Sequence, residues 1–462
     1  TGAATSLALG DVDRDGDLDL YVAHYRTSSA RNDPNPPRLT ARLVKGKLVI
    51  SPEDRFTGFV KTDGSIEVAE KGEPDVLYFN DGRGRFAAVS WTNGSFLDER
   101  GQPLTAPPED WGLSAMMRDF NGDGAPDIYV CNDFFYSRDR LWLGNGRGQF
   151  RAASPLAWRT MPLSSMAVDV ADVNRDGHDD FLVVEMLSRD HGTRQRQRAN
   201  ALRRELGLPI SDPNYQPEVL RNTLHLARGD GTFAEVASLS GLAMTDWSWS
   251  VVFLDVDLDG WEDVLVATGN NHDVLDLDAQ NELDRAGPQS PRRGVQFYPK
   301  LAQPNLAFRN RHDLRFEETS EAWGFHDAGI SQGMALGDLD NDGDLDVVVN
   351  NLNREAWLYR NESSAARVAV RLKGSGANTR GVGARIRFQG GSVAQSQEMI
   401  CGGRYLSSDD SIRVFAAGAR TNVLEIEVTW PGGRKSVVRN AVGDCLYEIH
   451  ETEENSNAKE QP

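Results

Sequence analysis

The sequence predicts an all-β repeat protein: pairs of hairpins building four-stranded units arrayed radially as a β-propeller, followed by a small antiparallel β domain. Three observations carry that reading. A nine-residue pattern, D-x-[DN]-x-D-G-x-x-D, begins at Asp11, Asp119, Asp172, Asp255 and Asp338. Short apolar runs flank every copy. A second, Gly-rich turn follows most copies at a distance that suits another hairpin. Composition agrees with a folded chain, since 39% of the 462 residues are hydrophobic. The net charge of −19 argues against nucleic acid or an anionic lipid surface as the main partner. No apolar stretch is long enough to predict a membrane span. Three cysteines are too few for a disulfide scaffold.

The repeated pattern reads as a calcium loop. Ca²⁺ takes six to eight hard oxygen ligands, and carboxylates at positions 1, 3 and 5 converge only if the backbone curls around the ion. Glycine at position 6 permits the positive φ that such a curl needs. The position 7 carbonyl turns inward and the position 9 Asp closes the shell. The candidate ligands are therefore Asp11, Asp13, Asp15, Asp17 and Asp19 in the first loop, and Asp119, Asn121, Asp123, Ala125 and Asp127 in the second. The third offers Asp172, Asn174, Asp176, His178 and Asp180, and the fourth Asp255, Asp257, Asp259, Trp261 and Asp263. The fifth offers Asp338, Asp340, Asp342, Asp344 and Asp346. About five Ca²⁺ ions are expected, one per loop.

An EF-hand would place a bidentate Glu at position 12. Here position 12 is Val22, Val130, Val183, Val266 or Val349, inside apolar runs such as Leu20-Tyr21-Val22 and Val347-Val348-Val349. Those runs predict buried strands, so each loop is the tip of a β-hairpin. The second hairpin is marked by Leu77 to Phe86, Leu141 to Phe150 and Leu224 to Phe233, with a degenerate copy from Leu306 to Phe316 and a partial one from Trp357 to Asn361.

Both turns lie at one end of such a unit, so the connection between its middle strands lies at the other. That connection is short from Asp127 to Leu141 but long in three other units, giving insertions near 27–74, 187–221 and 269–304. The first predicts a hairpin of its own (ARLVKGKLVI), the second a basic helix (RQRQRANALRREL), and the third is acidic early (HDVLDLDAQNELD). Loops that long in a compact domain are functional or disordered. His24, Asp133, Glu185 and His272 leave the second strands toward the same end, where they are candidate acid/base groups at a channel mouth. No nucleophile elbow, zinc-type His cluster, P-loop or dinucleotide fingerprint accompanies them.

The metal loops stop after Asp346, and alternating apolar and polar residues from 366 to 450 predict the second, antiparallel β domain. Cys401 and Cys445 both fall in it, either bonded or reduced. Residues 1–362 would form the propeller, and the polar stretch 451–462 is expected to be a disordered tail.

These residues together resemble the cartilage-acidic-protein-like family, in which FG-GAP/VCBS-type repeats precede an ASPIC/UnbV domain. The resemblance rests on the GDxDxDGxxDLYV-like loops, on MLSRDHGTRQRQ and NYQPEVLRNTL, and on TDWSWSVVFLDVDLDGWEDVLV. In the terminal domain it rests on GVGARIRF, GGRYLSS and the stretch from Ile426 to Gly433. It departs at Phe415-Ala-Ala-Gly418, where the family shows a Phe-Gly-Leu-Gly-type turn. The resemblance implies an integrin-α-like propeller of seven blades, five with visible calcium loops, with further strands ahead of Thr1. It also implies an exported, calcium-stabilised protein, extracellular or periplasmic. The function expected from the one-sided insertions is binding or adhesion toward a protein or glycan, or self-association, with no nucleic acid and no membrane span. The alternatives are an enzyme of small-molecule metabolism, as the resemblance to UnbV-type relatives implies, or a calcium-stabilised filament subunit.

Overall fold

The computed structural model describes residues 3–27, 30, 33, 35, 37–60, 64–133, 137–197, 216–286, 294–451 and 459–461. Five sheets follow one another, each opened by a hairpin whose tip is one of the Asp loops. Sheet I comprises Ala4–Gly10, Asp19–His24, Val76–Asn80 and Phe86–Ala88. Sheet II comprises Gly112–Arg118, Asp127–Asn132, Arg140–Gly144 and Phe150–Ala152, with Phe96–Leu97 added in parallel at its edge. Sheet III runs through Ala167–Ala171, Asp180–Val184, Thr223–Ala227 and Phe233–Glu235. Sheet IV runs through Ser248–Leu254, Asp263–Thr268, Leu306–Asn310 and Phe316–Glu318. Sheet V has only Ser331–Gly337, Asp346–Asn351 and Trp357–Tyr359. The described residues thus contain an all-β array with the five units visible from the loops.

The second strands explain why the apolar runs are continuous rather than alternating. They are buried on both faces, so successive side chains serve different neighbours. Ile128 and Val130 pack toward sheet I with Tyr21, Leu77 and Met117, whereas Tyr129 and Cys131 pack toward sheet III with Val168 and Phe181. Leu182 and Val184 meet Val264 and Val266 of sheet IV, and Leu265 and Ala267 meet Met334 and Val347 of sheet V. The sheets are therefore stacked face to face in chain order.

His225 lies within one of these seams. Its ring stacks on Phe181 at 4.5 Å, and burial pushes its imidazole down to about 4. The unfolded chain takes up this proton near 6.5, so stability is whole above that pH and falls as the pH drops toward 4. At saturating calcium, His225→Phe is expected to remove up to about 3 kcal/mol of that acid sensitivity. Urea unfolding at pH 7 and pH 4.5 checks it; equal loss in both proteins on acidification refutes it.

The C-terminal module packs two sheets around Val368, Phe388, Phe415, Ile426 and Trp430. The first has the order Ile412–Gly418, Ala366–Lys373, Cys445–His450, Lys459–Gln461, and the second Gln395–Glu398, Arg385–Gln389, Leu424–Thr429, Lys435–Ala441. Two expectations are corrected here. The module is not purely antiparallel, because Ala366–Lys373 and Cys445–His450 run parallel. The chain crosses to the second sheet between them and so returns in the same direction. Nor is the tail wholly without structure, since Lys459–Gln461 pairs with the open edge of Cys445–His450. The rest of the tail, 452–458 and 462, lies outside the described residues. None of the three cysteines is joined in a disulfide.

This module is not an appendage. Residues 401–410 enter between sheets V and I. Cys401–Gly402 pairs with Ala8 and Leu9, and the Gly403 N–H donates to the Leu7 carbonyl at 2.9 Å. On the other side the Asp410 N–H donates to the Leu336 carbonyl at 2.8 Å, and Asp409 accepts the Leu336 N–H at 3.1 Å. Arg404, at the middle of the segment, is buried with its guanidinium 2.5 Å from Asp169 of sheet III and 2.8 Å from Asp409. The Ser6 hydroxyl donates to the Arg404 carbonyl, and Asp169 also accepts the Phe253 N–H of sheet IV. One residue thus touches groups held by four of the five sheets.

Candidate metal centres

All five Asp loops adopt one conformation. The position 6 glycine has positive φ throughout, at 93° for Gly16, 79° for Gly124, 88° for Gly177, 99° for Gly260 and 93° for Gly343. Position 4 does too, at Arg14, Gly122, Arg175, Leu258 and Asn341, a feature the sequence pattern did not announce. Two left-handed residues within three positions draw the backbone N–H groups inward. The position 1 carboxylate accepts from positions 5 and 6 in every loop, for example Asp15 at 3.1 Å and Gly16 at 3.1 Å onto Asp11. The position 5 carboxylate accepts from position 7, as Trp261 does onto Asp259 at 3.0 Å.

Position 9 has a second task. One oxygen of Asp127 accepts the Phe120 N–H and the other accepts the Gly144 N–H from the third strand. Asp19, Asp180, Asp263 and Asp346 repeat this with Asn80, Ala227, Asn310 and Asn361. Each therefore ties its Asp-loop hairpin to the third strand of its sheet or the residues just after it.

The donor set fits a hard cation. Carboxylate oxygens of Asp11, Asp13 and Asp15 come within 4.8 Å of one another, as do those of Asp255, Asp257 and Asp259, and of Asp338, Asp340 and Asp346. Buried oxygens of Asp13 and Asp257 accept no hydrogen bond, which is costly unless something positive meets them. Burial, with the neighbouring Asp15 and Asp13 charges, pushes Asp11 up to about 6. Burial likewise raises Asp19 to about 7 and Asp180 to about 8, with Asp127, Asp255 and Asp263 driven well above the carboxylate range. These clusters resist full ionisation without a compensating charge.

The loops are not equivalent. In the second and third, the amides of Asn121 and Asn174 donate to Asp123 and Asp176, so their oxygens would have to turn toward an ion. In the fourth, the Arg309 guanidinium lies 2.6 Å from Asp257 and 3.1 Å from Asp259, with His312 3.0 Å from Asp259. In the fifth, Arg360 lies 2.6 Å from Asp340 and Arg367 3.1 Å from Asp342. The first loop has the largest carboxylate excess. Its position 7 side chain, Asp17, turns toward the Gly82 turn, which leaves the position 7 ligand role to its carbonyl.

Neighbouring loops are stapled together, which spacing alone did not reveal. Arg14 of the first loop donates to the Gly124 carbonyl of the second at 2.9 Å. Arg175 of the third bonds the Gly260 carbonyl of the fourth and pairs with buried Glu262 at 2.7 Å. Asp179 is buried between Arg385 at 2.7 Å and Arg118 at 3.2 Å, and burial is outweighed by those two cations, which hold it near 2.

At the opposite end the acid/base candidates have different neighbours. Asp133 and Glu185 lie in electrostatic range, with Glu185 raised to about 8 by burial and then by Asp133. His24 instead faces Glu73 and the Pro74 carbonyl, and His272 faces Lys300. Of the insertions, the first holds two hairpins, Thr40–Val44 with Lys47–Ser51 and Phe56–Val60 with Ile66–Glu70, and the third holds the helix Leu277–Ala286. The second is helical over 191–197, and the remainder of the expected basic helix lies outside the described residues. Arg196 pairs with Asp276 at 3.1 Å, so the basic and acidic insertions do meet. No helix among the described residues is long and apolar enough to cross a membrane.

With this geometry in hand, comparison with known proteins is informative at the family level. No curated protein matches the sequence. Among solved structures, an Agrocybe aegerita lectin with specific recognition of non-reducing terminal N-acetylglucosamine is similar at 14% identity and a TM-score of 0.29, over 78% of this chain and 81% of that one. The V. cholerae biofilm matrix protein Bap1 is similar at 12% identity and a TM-score of 0.27, over 96% of this chain and 60% of that one. Both likenesses are too distant to bear on mechanism. Residues 119–183 and 214–266, which hold the second, third and fourth loops, match the FG-GAP-like repeat, and residues 374–456 match ASPIC and UnbV. The chain carries FG-GAP-like repeats followed by an ASPIC and UnbV domain.

Proposed function

We propose that this chain is a calcium-stabilised β-propeller of the cartilage-acidic-protein-like type, working outside the cytoplasm as a binding or adhesion module. The observation that carries the reading is the fivefold recurrence of one loop conformation with converging acidic oxygens. When bound, Ca²⁺ would neutralise those carboxylates, held by positions 1, 3, 5 and 9 and the position 7 carbonyl. The residues themselves then hold hairpin to hairpin through position 9, and loop to loop through Arg14 and Arg175. Face-to-face stacking of the sheets in chain order supports the propeller, with residues 401–410 spanning from sheet V to sheet I. A rigid metal end leaves the insertions at the opposite end as the recognition surface for a protein, a glycan or a second copy.

Calcium counting by equilibrium dialysis tests the reading. About five ions per chain are expected at saturation, with the first loop filling before the fourth and fifth, where Arg309 and Arg360 compete. Asp13→Ala is expected to remove about one ion. A chain that retains no calcium at millimolar concentration refutes the metal half. A calcium-loaded chain that neither binds an arrayed glycan or protein nor self-associates in sedimentation refutes the adhesion half.

A further inference from the structure

The first insertion contains a surface at odds with the rest of the molecule. Between Asp33 and Glu53 the chain has four cations, Arg38, Arg42, Lys45 and Lys47, and no acid, in a protein of net charge −19. This stretch forms the hairpin Thr40–Val44 with Lys47–Ser51, turning at Lys45 and Gly46 with φ of 50° and 77°. The pairing sorts its side chains by face. Ala41 opposite Ile50 points toward the second hairpin, where Ile50 packs near Gly58. Arg42 opposite Val49 and Val44 opposite Lys47 share the other face, so cations and aliphatics alternate across it. The aliphatics on that face are not covered: Val44 is 41% exposed and Val49 42%.

We propose that this hairpin docks the protein on the surface of an anionic phospholipid bilayer, with Val44 and Val49 entering the headgroup region. Charge complementarity selects an anionic partner for a face whose only charged side chains are Arg42 and Lys47, with Lys45 at the adjoining turn. The absence of aromatic side chains from that face disfavours a sugar, which stacks on rings, and a protein hot spot, which favours Trp and Tyr. Bare aliphatics interleaved with long flexible cations suit a fluid surface, whose phosphates meet the cations while its apolar layer takes the two valines. The overall acid excess does not forbid this, because physiological salt screens charge beyond about 8 Å. The inference needs only the hairpin and stands apart from the calcium reading.

Flotation of the full chain with vesicles tests it, comparing phosphatidylcholine alone with phosphatidylcholine containing roughly a third phosphatidylglycerol. Binding only to the anionic vesicles is expected, weakening steeply with added salt. Arg42→Glu with Lys47→Glu is expected to lower partitioning roughly 100-fold, and Val44→Ser with Val49→Ser roughly tenfold. Unchanged melting temperatures show that the variants fold; should the charge reversal not fold, Arg42→Gln with Lys47→Gln serves in its place. No binding to anionic vesicles, or binding indifferent to the charge variant, overturns the proposal. So does lipid-free self-association that the charge variant abolishes, which would make a second acidic copy the occupant.

Discussion

Chelation of calcium is expected to lower the melting temperature by about 10–15 °C, the largest single effect predicted for this protein. At a hundredfold excess over its dissociation constant, a ligand bound only by the folded state contributes about 2.7 kcal/mol, so five independent sites contribute about 13 kcal/mol. The unfolding entropy of a chain this long is of order 1 kcal/mol per kelvin, which converts that sum into the shift stated. The effect should extend beyond the loops. Position 9 carboxylates link each metal hairpin to its third strand, and Arg14 and Arg175 link one loop to the next. Scanning calorimetry in millimolar calcium against EGTA provides the check. A shift below about 2 °C would mean that the carboxylate clusters are held by protons and arginines alone.

Arg404→Ala is expected to destabilise the protein by about 3–5 kcal/mol, because it strands the buried carboxylates of Asp169 and Asp409. The pair itself is weak evidence for net stability, since both partners are desolvated; the cost lies in removing one partner only. Asp169→Asn in the Arg404→Ala background should therefore restore part of the loss. The damage should also be directional. Asp409 accepts the Leu336 N–H and Asp169 accepts the Phe253 N–H, so amide exchange should quicken first at those two positions. Uniform quickening across all five sheets, or a loss below about 1 kcal/mol by urea unfolding, would show that residues 401–410 are not what joins sheet V to sheet I.

Much of this architecture is legible along the chain because its information is local. An Asp loop places all of its carboxylates within nine residues, and the glycine its curl needs sits at a set place among them. The strand on its far side reads as an apolar run because a stacked sheet buries both faces, as Asp127–Asn132 does. The first insertion's hairpin was equally plain, since a Lys-Gly turn between apolar runs specifies its own pairing. The neighbours of the acid/base candidates were not legible. Strand exits at one end of the array share a height, but height does not say that His24 faces Glu73, that His272 faces Lys300 or that Asp133 acts on Glu185.

The sequence by itself determined where the Asp loops fall, the hairpins they cap and the order of the sheets, since each depends on residues a few positions apart. Only the tertiary structure decided that Arg404 would meet Asp169, that Arg385 would meet Asp179, and that Ala366–Lys373 would lie parallel to Cys445–His450. Those contacts join residues up to 235 positions apart, where neither spacing nor period constrains the partner. What selects them is the packing of whole sheets, which brings opposite charges together largely out of reach of water.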